Sequence, residues 1–295
     1  MGAKISLDDS GVRGYAASLG LSGIIDLHVH FMPDNVMRKV WEYFASAGPL
    51  IGSTWHVKYR LGEQERIELL AEMGVVRYGA LCYPHKASMA QWLNDWSASF
   101  AQANPASFQS ATFFPESGVE SYVRDAIASG AELFKAHLQV GKYDPRDELL
   151  DGVWKLLQDT QIPVVIHCGS GPAPGEFTGP GPITEVLDRF PSLTLIIAHM
   201  GNPDYEAFLD LAAIYPNVYL DTTMVFTNFT EASSPFPPRL RNQLLTLGDK
   251  ILLGSDFPNI PYCYANQIEA LANLELGETW MRKVLYENAA RLMKL

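Results

Sequence analysis

The chain has 295 residues, with 22 Lys plus Arg against 33 Asp plus Glu and a net charge of −11. Hydrophobic residues make up 47% and charged residues 19%, a globular mixture that excludes a disordered or collagen-like chain. The acidic balance argues against nucleic acid or an anionic membrane surface as the main partner, and says little about a small substrate, since a local pocket can be positive on an acidic protein.

Short β-branched apolar runs alternate with longer helical patterns from residue 23 onward. Strands are predicted at 23–31, 75–82, 107–114, 131–139, 163–168, 193–200, 217–223 and 249–256. Helical stretches lie between them at 62–73, 88–103, 118–129, 148–160, 182–190, 203–214 and 262–275, with a last one at 277–293. In 148–160, Leu149, Leu150, Val153, Leu156 and Leu157 recur at helical spacing. Eight strands, each followed by a helix, predict an α/β chain folded as a (β/α)8 TIM barrel, one domain over 1–295. Residues 32–61 form an insertion after the first strand, carrying Trp41, Tyr43, Phe44, Trp55 and Tyr59, and are expected to cap the barrel mouth.

Two Gly/Pro-rich loops, 169–182 and 233–238, follow the fifth and seventh predicted strands, where active-site loops of a barrel sit. The first lacks GxGxxG spacing, which disfavours a phosphate cradle. Cys82, Cys168 and Cys263 form no CxxC pair and read as reduced thiols of a cytoplasmic protein. No apolar run approaches the ~20 residues of a membrane span. Asp8 and Asp9 interrupt the N-terminal segment where a secretory signal would need an apolar stretch.

Seven histidines occur, and five of them (His28, His30, His137, His167 and His199) fall at or near the ends of predicted strands. Asp256 ends the eighth. Alternation along a strand puts Asp26, His28 and His30 on one face and Ile25, Leu27 and Val29 on the other. The same parity pairs Val165 with His167, Ile197 with His199 and Gly254 with Asp256. Burying such polar groups without partners costs several kcal/mol each, whereas one divalent cation satisfies several together. Imidazoles with a single carboxylate suit Zn²⁺ first, and Mn²⁺, Co²⁺ or Fe²⁺ as well. His56 and His85 lie in loops and read as surface or lid residues.

The ordered strings DLHVH, FKAH, VVIHCG, IIAHMG and LLGSDFP, spanning residues 23–258, resemble the amidohydrolase superfamily. They look most like its family 2 branch, related to aminocarboxymuconate-semialdehyde decarboxylase. The resemblance implies one divalent metal held by His28, His30, His167 and Asp256. It gives His199 a place facing the substrate and makes Asp256 the proton acceptor for an attacking water. Lys135 stands where other branches carry a lysine bridging two metals. In a mononuclear site it lines the pocket with His137, meeting an anionic group, or pairs with Asp26. The implied activity is hydrolysis of a small carboxylate-, ester-, lactone- or amide-type substrate. The alternative within the same branch is non-oxidative decarboxylation of an aromatic or unsaturated acid. The resemblance also suggests a homodimer.

Overall fold

The computed structural model describes residues 5–46 and 55–295, so residues 47–54 of the predicted capping insertion lie outside the described part. Among the described residues, nine strands run in chain order: β1 (Ile24–His30), β2 (Val75–Leu81), β3 (Ser107–Phe108), β4 (Ser110–Thr112), β5 (Leu133–His137), β6 (Val164–His167), β7 (Leu195–Ile197), β8 (Val218–Asp221) and β9 (Ile251–Leu252). Each predicted strand is present, but several are shorter than their apolar runs. The run 107–114 is broken at Gln109, whose backbone N–H turns aside to the Glu132 carboxylate (3.0 Å).

The chain forms two compact units. The first comprises Met1–His30, Asp34–Tyr78 and Thr222–Leu295. Its centre is β1, whose seven residues are all buried. Ile24, Ile25 and Val29 favour the extended backbone, and no Gly or Pro interrupts it. Beside β1 runs the segment that continues β9: Leu27 N–H donates to Leu253 C=O (3.1 Å), Asp256 N–H to His28 C=O (2.8 Å) and His30 N–H to Phe257 C=O (2.7 Å). The C-terminal segment consists of a helix (Glu278–Arg282), a π turn (Lys283–Glu287) and a second helix (Asn288–Leu292). It closes beneath this pair, where the buried Asn288 amide donates to Gly248 C=O (2.7 Å) and Ile251 C=O (2.8 Å).

The capping insertion contributes a helix at Asp34–Ser46. Residues 55–58 lie along the loop after Asp256. Trp55 Nε1 donates to Asn259 C=O (2.6 Å) and Lys58 N–H to Ile260 C=O (2.9 Å). Trp41 on the helix reaches the Asn259 side chain (3.1 Å). The insertion therefore covers the loop that follows the last strand.

The second unit comprises Phe31–Pro33 and Gly79–Asp221. Here β4 to β8 lie side by side in sequence order and parallel, with Thr112, Lys135 and Val165 in one register layer and His137 opposite His167 in another. Helices Ala90–Ala103, Val119–Ala128, Asp151–Thr160, Pro180–Arg189 and Tyr205–Ile214 alternate with the strands. Pro180 starts its helix where a missing N–H costs nothing. Among the described residues, no helix is long and apolar enough to cross a membrane.

Candidate metal centre

In the first unit, β1 delivers His28 and His30 to one face, as strand alternation predicts. Among the described residues, His28, His30 and Asp256 each bring a ligand atom within 4.8 Å of the others. Their exposures are 1%, 3% and 7%, so no bulk water serves as their partner. The Asp256 Oδ1 lies 2.9 Å from His30 Nε2 and 3.6 Å from His28 Nε2. The two imidazole rings meet edge to face, with centroids 5.1 Å apart at 71°. One carboxylate oxygen thus faces two imidazole nitrogens in a dry site. This borderline-soft N/N/O donor set fits a divalent transition metal and suits neither Ca²⁺ nor Mg²⁺, which prefer oxygen throughout.

Buried neighbours fix the ligands. The Asp26 carboxylate accepts the His28 backbone N–H at Oδ1 (3.0 Å) and the Tyr264 hydroxyl at Oδ2 (2.9 Å). Asp256 is tied through its own N–H to the His28 carbonyl, and its C=O accepts the Asn259 N–H (2.8 Å). Its φ of +68° lies in the left-handed region, past the end of β9. The predicted parity of Gly254 with Asp256 therefore does not hold. The carboxylate is aimed by a turn.

The second unit carries the other strand-end histidines. His137 and His167, register partners on β5 and β6, stack with centroids 4.1 Å apart at 9°. His199 meets His167 edge-on, 4.8 Å away at 63°. The Nε2 of His167 lies 2.9 Å from Gly171 C=O, an oxygen that only accepts. His137 Nδ1 accepts the Val140 N–H (3.3 Å), capping the turn Leu138–Gly141. Lys135 is fully buried on β5. Burial pushes the Cys168 thiol up, and the nearby Lys135 charge opposes that shift.

His199 also departs from the predicted alternation. Strand β7 ends at Ile197, and His199, Met200 and Gly201 have φ of +54°, +50° and +74°. This left-handed run is held by the fully buried Asp221, whose Oδ1 accepts the His199 N–H (2.8 Å). Gly169 permits the close approach on the other side, since a Cβ there would come within 2.6 Å of the Gly201 carbonyl carbon. Sequence reasoning missed Asp221, although a carboxylate ending the apolar run NVYLD was a visible signal. His56 and His85 are exposed, as predicted.

A family model described as amidohydrolase matches residues 25–295. The chain belongs to the amidohydrolase family. Among solved structures, it is similar to an uncharacterised TIM-barrel protein from Bordetella bronchiseptica (TM-score 0.70, 19% identity), covering 92% of this chain and 98% of that one. A second is 5-carboxyvanillate decarboxylase from Novosphingobium aromaticivorans, in complex with manganese and 4-hydroxy-3-methoxy-5-nitrobenzoic acid (TM-score 0.65, 16% identity; 92% and 96% covered). A third is a probable 2-pyrone-4,6-dicarboxylic acid hydrolase from Acinetobacter baumannii with citric acid bound (TM-score 0.60, 14% identity; 92% and 100% covered). No curated protein matches the sequence. These likenesses show the fold, a TIM barrel. Membership places the chain among metal-dependent enzymes, with His28, His30 and Asp256 as its possible metal site.

Proposed function

We propose that this chain is a metal-dependent hydrolase acting on a small carboxylate-, ester-, lactone- or amide-type substrate. The observation that carries the reading is the buried His28–His30–Asp256 group, which pairs two metal-binding imidazoles with one carboxylate able to take a proton. Support for His167 as a further ligand comes from its place in the ordered series DLHVH, VVIHCG and GSDFP. Zn²⁺ suits the donor set best, and the manganese in the decarboxylase complex keeps Mn²⁺ beside it.

A divalent ion held by His28, His30 and Asp256 would supply Lewis acidity to the substrate carbonyl and acidify the attacking water. Asp256 accepts the proton of the attacking water and returns it to the leaving group. His199 donates a hydrogen bond to the oxyanion that develops at the carbonyl. Lys135 and His137 hold an anionic group of the substrate. A second reading, decarboxylation of an aromatic or unsaturated acid, is favoured by the likeness to 5-carboxyvanillate decarboxylase. In that reading Asp256 or His199 delivers a proton to the carbon that loses CO2.

The test has two stages. Elemental analysis of wild type and of His28→Ala, His30→Ala and His167→Ala is expected to show near-stoichiometric metal falling sharply in each variant. Unchanged metal content would remove the assignment. A substrate panel is then read in parallel for acid release and for CO2. Acid release without CO2 supports hydrolysis, and CO2 without hydrolysis establishes the second reading.

A further inference from the structure

We propose that Asp9 is a positioning residue of the metal centre, acting through Tyr59, Tyr264 and Asp26 on the ligand His28. The inference rests on the site proposed above and makes the N-terminal segment a working part of it. All of these residues belong to the first unit. The Asp9 carboxylate divides its two oxygens: Oδ2 accepts the Tyr59 hydroxyl (2.6 Å) and Oδ1 accepts the Ala265 N–H (2.9 Å). The Tyr59 oxygen in turn accepts the Tyr264 N–H (2.6 Å). These two N–H groups open the helix Ala265–Ala272, where the helix itself offers them no acceptor and where a carboxylate meets the positive end of the helix dipole. The Tyr264 hydroxyl then donates to Asp26 Oδ2 (2.9 Å), and Asp26 Oδ1 accepts the His28 N–H (3.0 Å). An unbroken series of hydrogen bonds thus runs from Asp9 to the backbone of a ligand.

The middle of the series is dry: Tyr264 and Asp26 are fully buried and Tyr59 is nearly so. Burial and the Asp9 hydrogen bond push the Tyr59 phenol up, so it stays protonated and donates to Asp9. With no bulk water to replace a lost partner, a shift of Tyr264 is passed on to Asp26. Tyr59 also packs against Phe257 (4.8 Å, 47°), the residue after Asp256, and Phe257 meets Tyr264 edge-on (6.3 Å, 75°). The same phenol therefore braces the strand that carries His28 and the turn that aims Asp256. Asp9 is itself placed by chain that lies along the helix Ala265–Ala272 and its end. Leu7 N–H donates to Glu269 Oε2 (3.2 Å), Ile5 N–H to Asn273 Oδ1 (3.0 Å), and the Asn273 amide to Ile5 C=O (3.2 Å).

The test uses Zn²⁺ and Co²⁺ alone as probes on the full chain. In Asp9→Ala, Zn²⁺ affinity, read by competition with a chromophoric chelator, is expected to fall about 10-fold, the low end for a direct partner of a ligand, because Asp9 acts at a remove. The visible bands of the Co²⁺ form, which report ligand geometry, should shift. Tyr59→Phe removes the oxygen that links Asp9 to Tyr264 and should reproduce both effects, and the double variant should lose no more than the larger single loss. Trp280→Phe is the stability control: it removes a buried hydrogen bond of the same unit, to Leu244 C=O (2.9 Å), and should lower the thermal midpoint while leaving both metal readouts unchanged. Unchanged affinity and spectrum in Asp9→Ala and Tyr59→Phe overturn the proposal. So do losses that add in the double variant, or an equal metal effect in Trp280→Phe. Should Asp9→Ala fail to fold, Tyr59→Phe against Trp280→Phe decides by the same readings. Wild type that binds neither ion fails the site itself, whereas binding indifferent to Asp9 and Tyr59 fails this inference alone.

Discussion

Gly201→Ala tests whether the left-handed turn that presents His199 is as constrained as its contacts imply. Two independent costs add. At φ +74° an L-residue is disfavoured by about 1–2 kcal/mol relative to its right-handed form, a cost glycine does not incur. A Cβ would also lie 2.6 Å from Cε2 of the fully buried Phe208, and nearer still to its Cγ and Cδ2. That is inside ordinary carbon contact by about 1 Å, and such overpacking costs about 1–3 kcal/mol. The expected loss is therefore about 2–5 kcal/mol, read as a lower urea midpoint with unchanged slope. Gly14→Ala is the control, because a Cβ there meets nothing within 4 Å in the exposed part of the helix Val12–Ser18. It should be neutral or stabilising by up to about 1 kcal/mol. A Gly201→Ala protein within about 0.5 kcal/mol of wild type, smaller than either cost, would refute the reasoning.

Asp256→Asn keeps the shape of the side chain and removes the base. Turnover should fall about 10²- to 10⁴-fold while the protein retains more metal than His28→Ala, and a near-normal rate would eliminate Asp256 as proton carrier. Tyr264→Phe removes the hydroxyl that donates to the buried Asp26 carboxylate, at an expected cost of about 1.5–3 kcal/mol in urea unfolding. Asp26 also holds the His28 backbone, so weaker metal retention should accompany the loss. Burial pushes the Cys82 thiol up to about 12. Its folded pKa exceeds the ordinary 9.0, so its contribution to stability is complete below that value and is lost as pH rises toward 12. Alkylation at about pH 8 followed by mass spectrometry should leave Cys82 and Cys168 unmodified and label the half-exposed Cys263; rapid labelling of Cys82 would contradict its burial.

The alternation of strands and helices was legible because each strand is an apolar run buried by its neighbours. The first pair of candidate ligands was legible because β1 stays regular through His30, so side-chain parity transfers directly to geometry. Parity failed for His199 and Asp256 for one reason: regular strand ends at Ile197 and Leu252, before either residue. Apolar sequence continues beyond those ends, but hydrogen bonding no longer sets the backbone angles. Phe44 and Trp55 were legible as aromatic residues of the cap, but what they pack against left no local signal. Trp55 and Asn259 are 204 positions apart, and their contact is purely tertiary. The short helix Val12–Ser18 also escaped notice, lying in a segment too brief to show an apolar period.

The two residues proposed to handle protons share a backbone trait that the β1 ligands lack. His28 and His30 sit on extended strand, where orientation follows from the fold at little cost. His199 and Asp256 sit at φ of +54° and +68°, conformations that L-residues avoid unless surrounding contacts enforce them. Each is enforced within its own unit by a hydrogen bond to its backbone N–H: from His199 to the buried Asp221 carboxylate, and from Asp256 to the His28 carbonyl on β1. Metal ligation tolerates small errors, because the ion and its ligands adjust together. Proton transfer does not, since its donor and acceptor must lie within hydrogen-bond reach along a set direction. The strain is thus concentrated at the positions where orientation matters most for the proposed chemistry. Asp221, which ligates nothing in this scheme, should on that account matter more for turnover than for metal content.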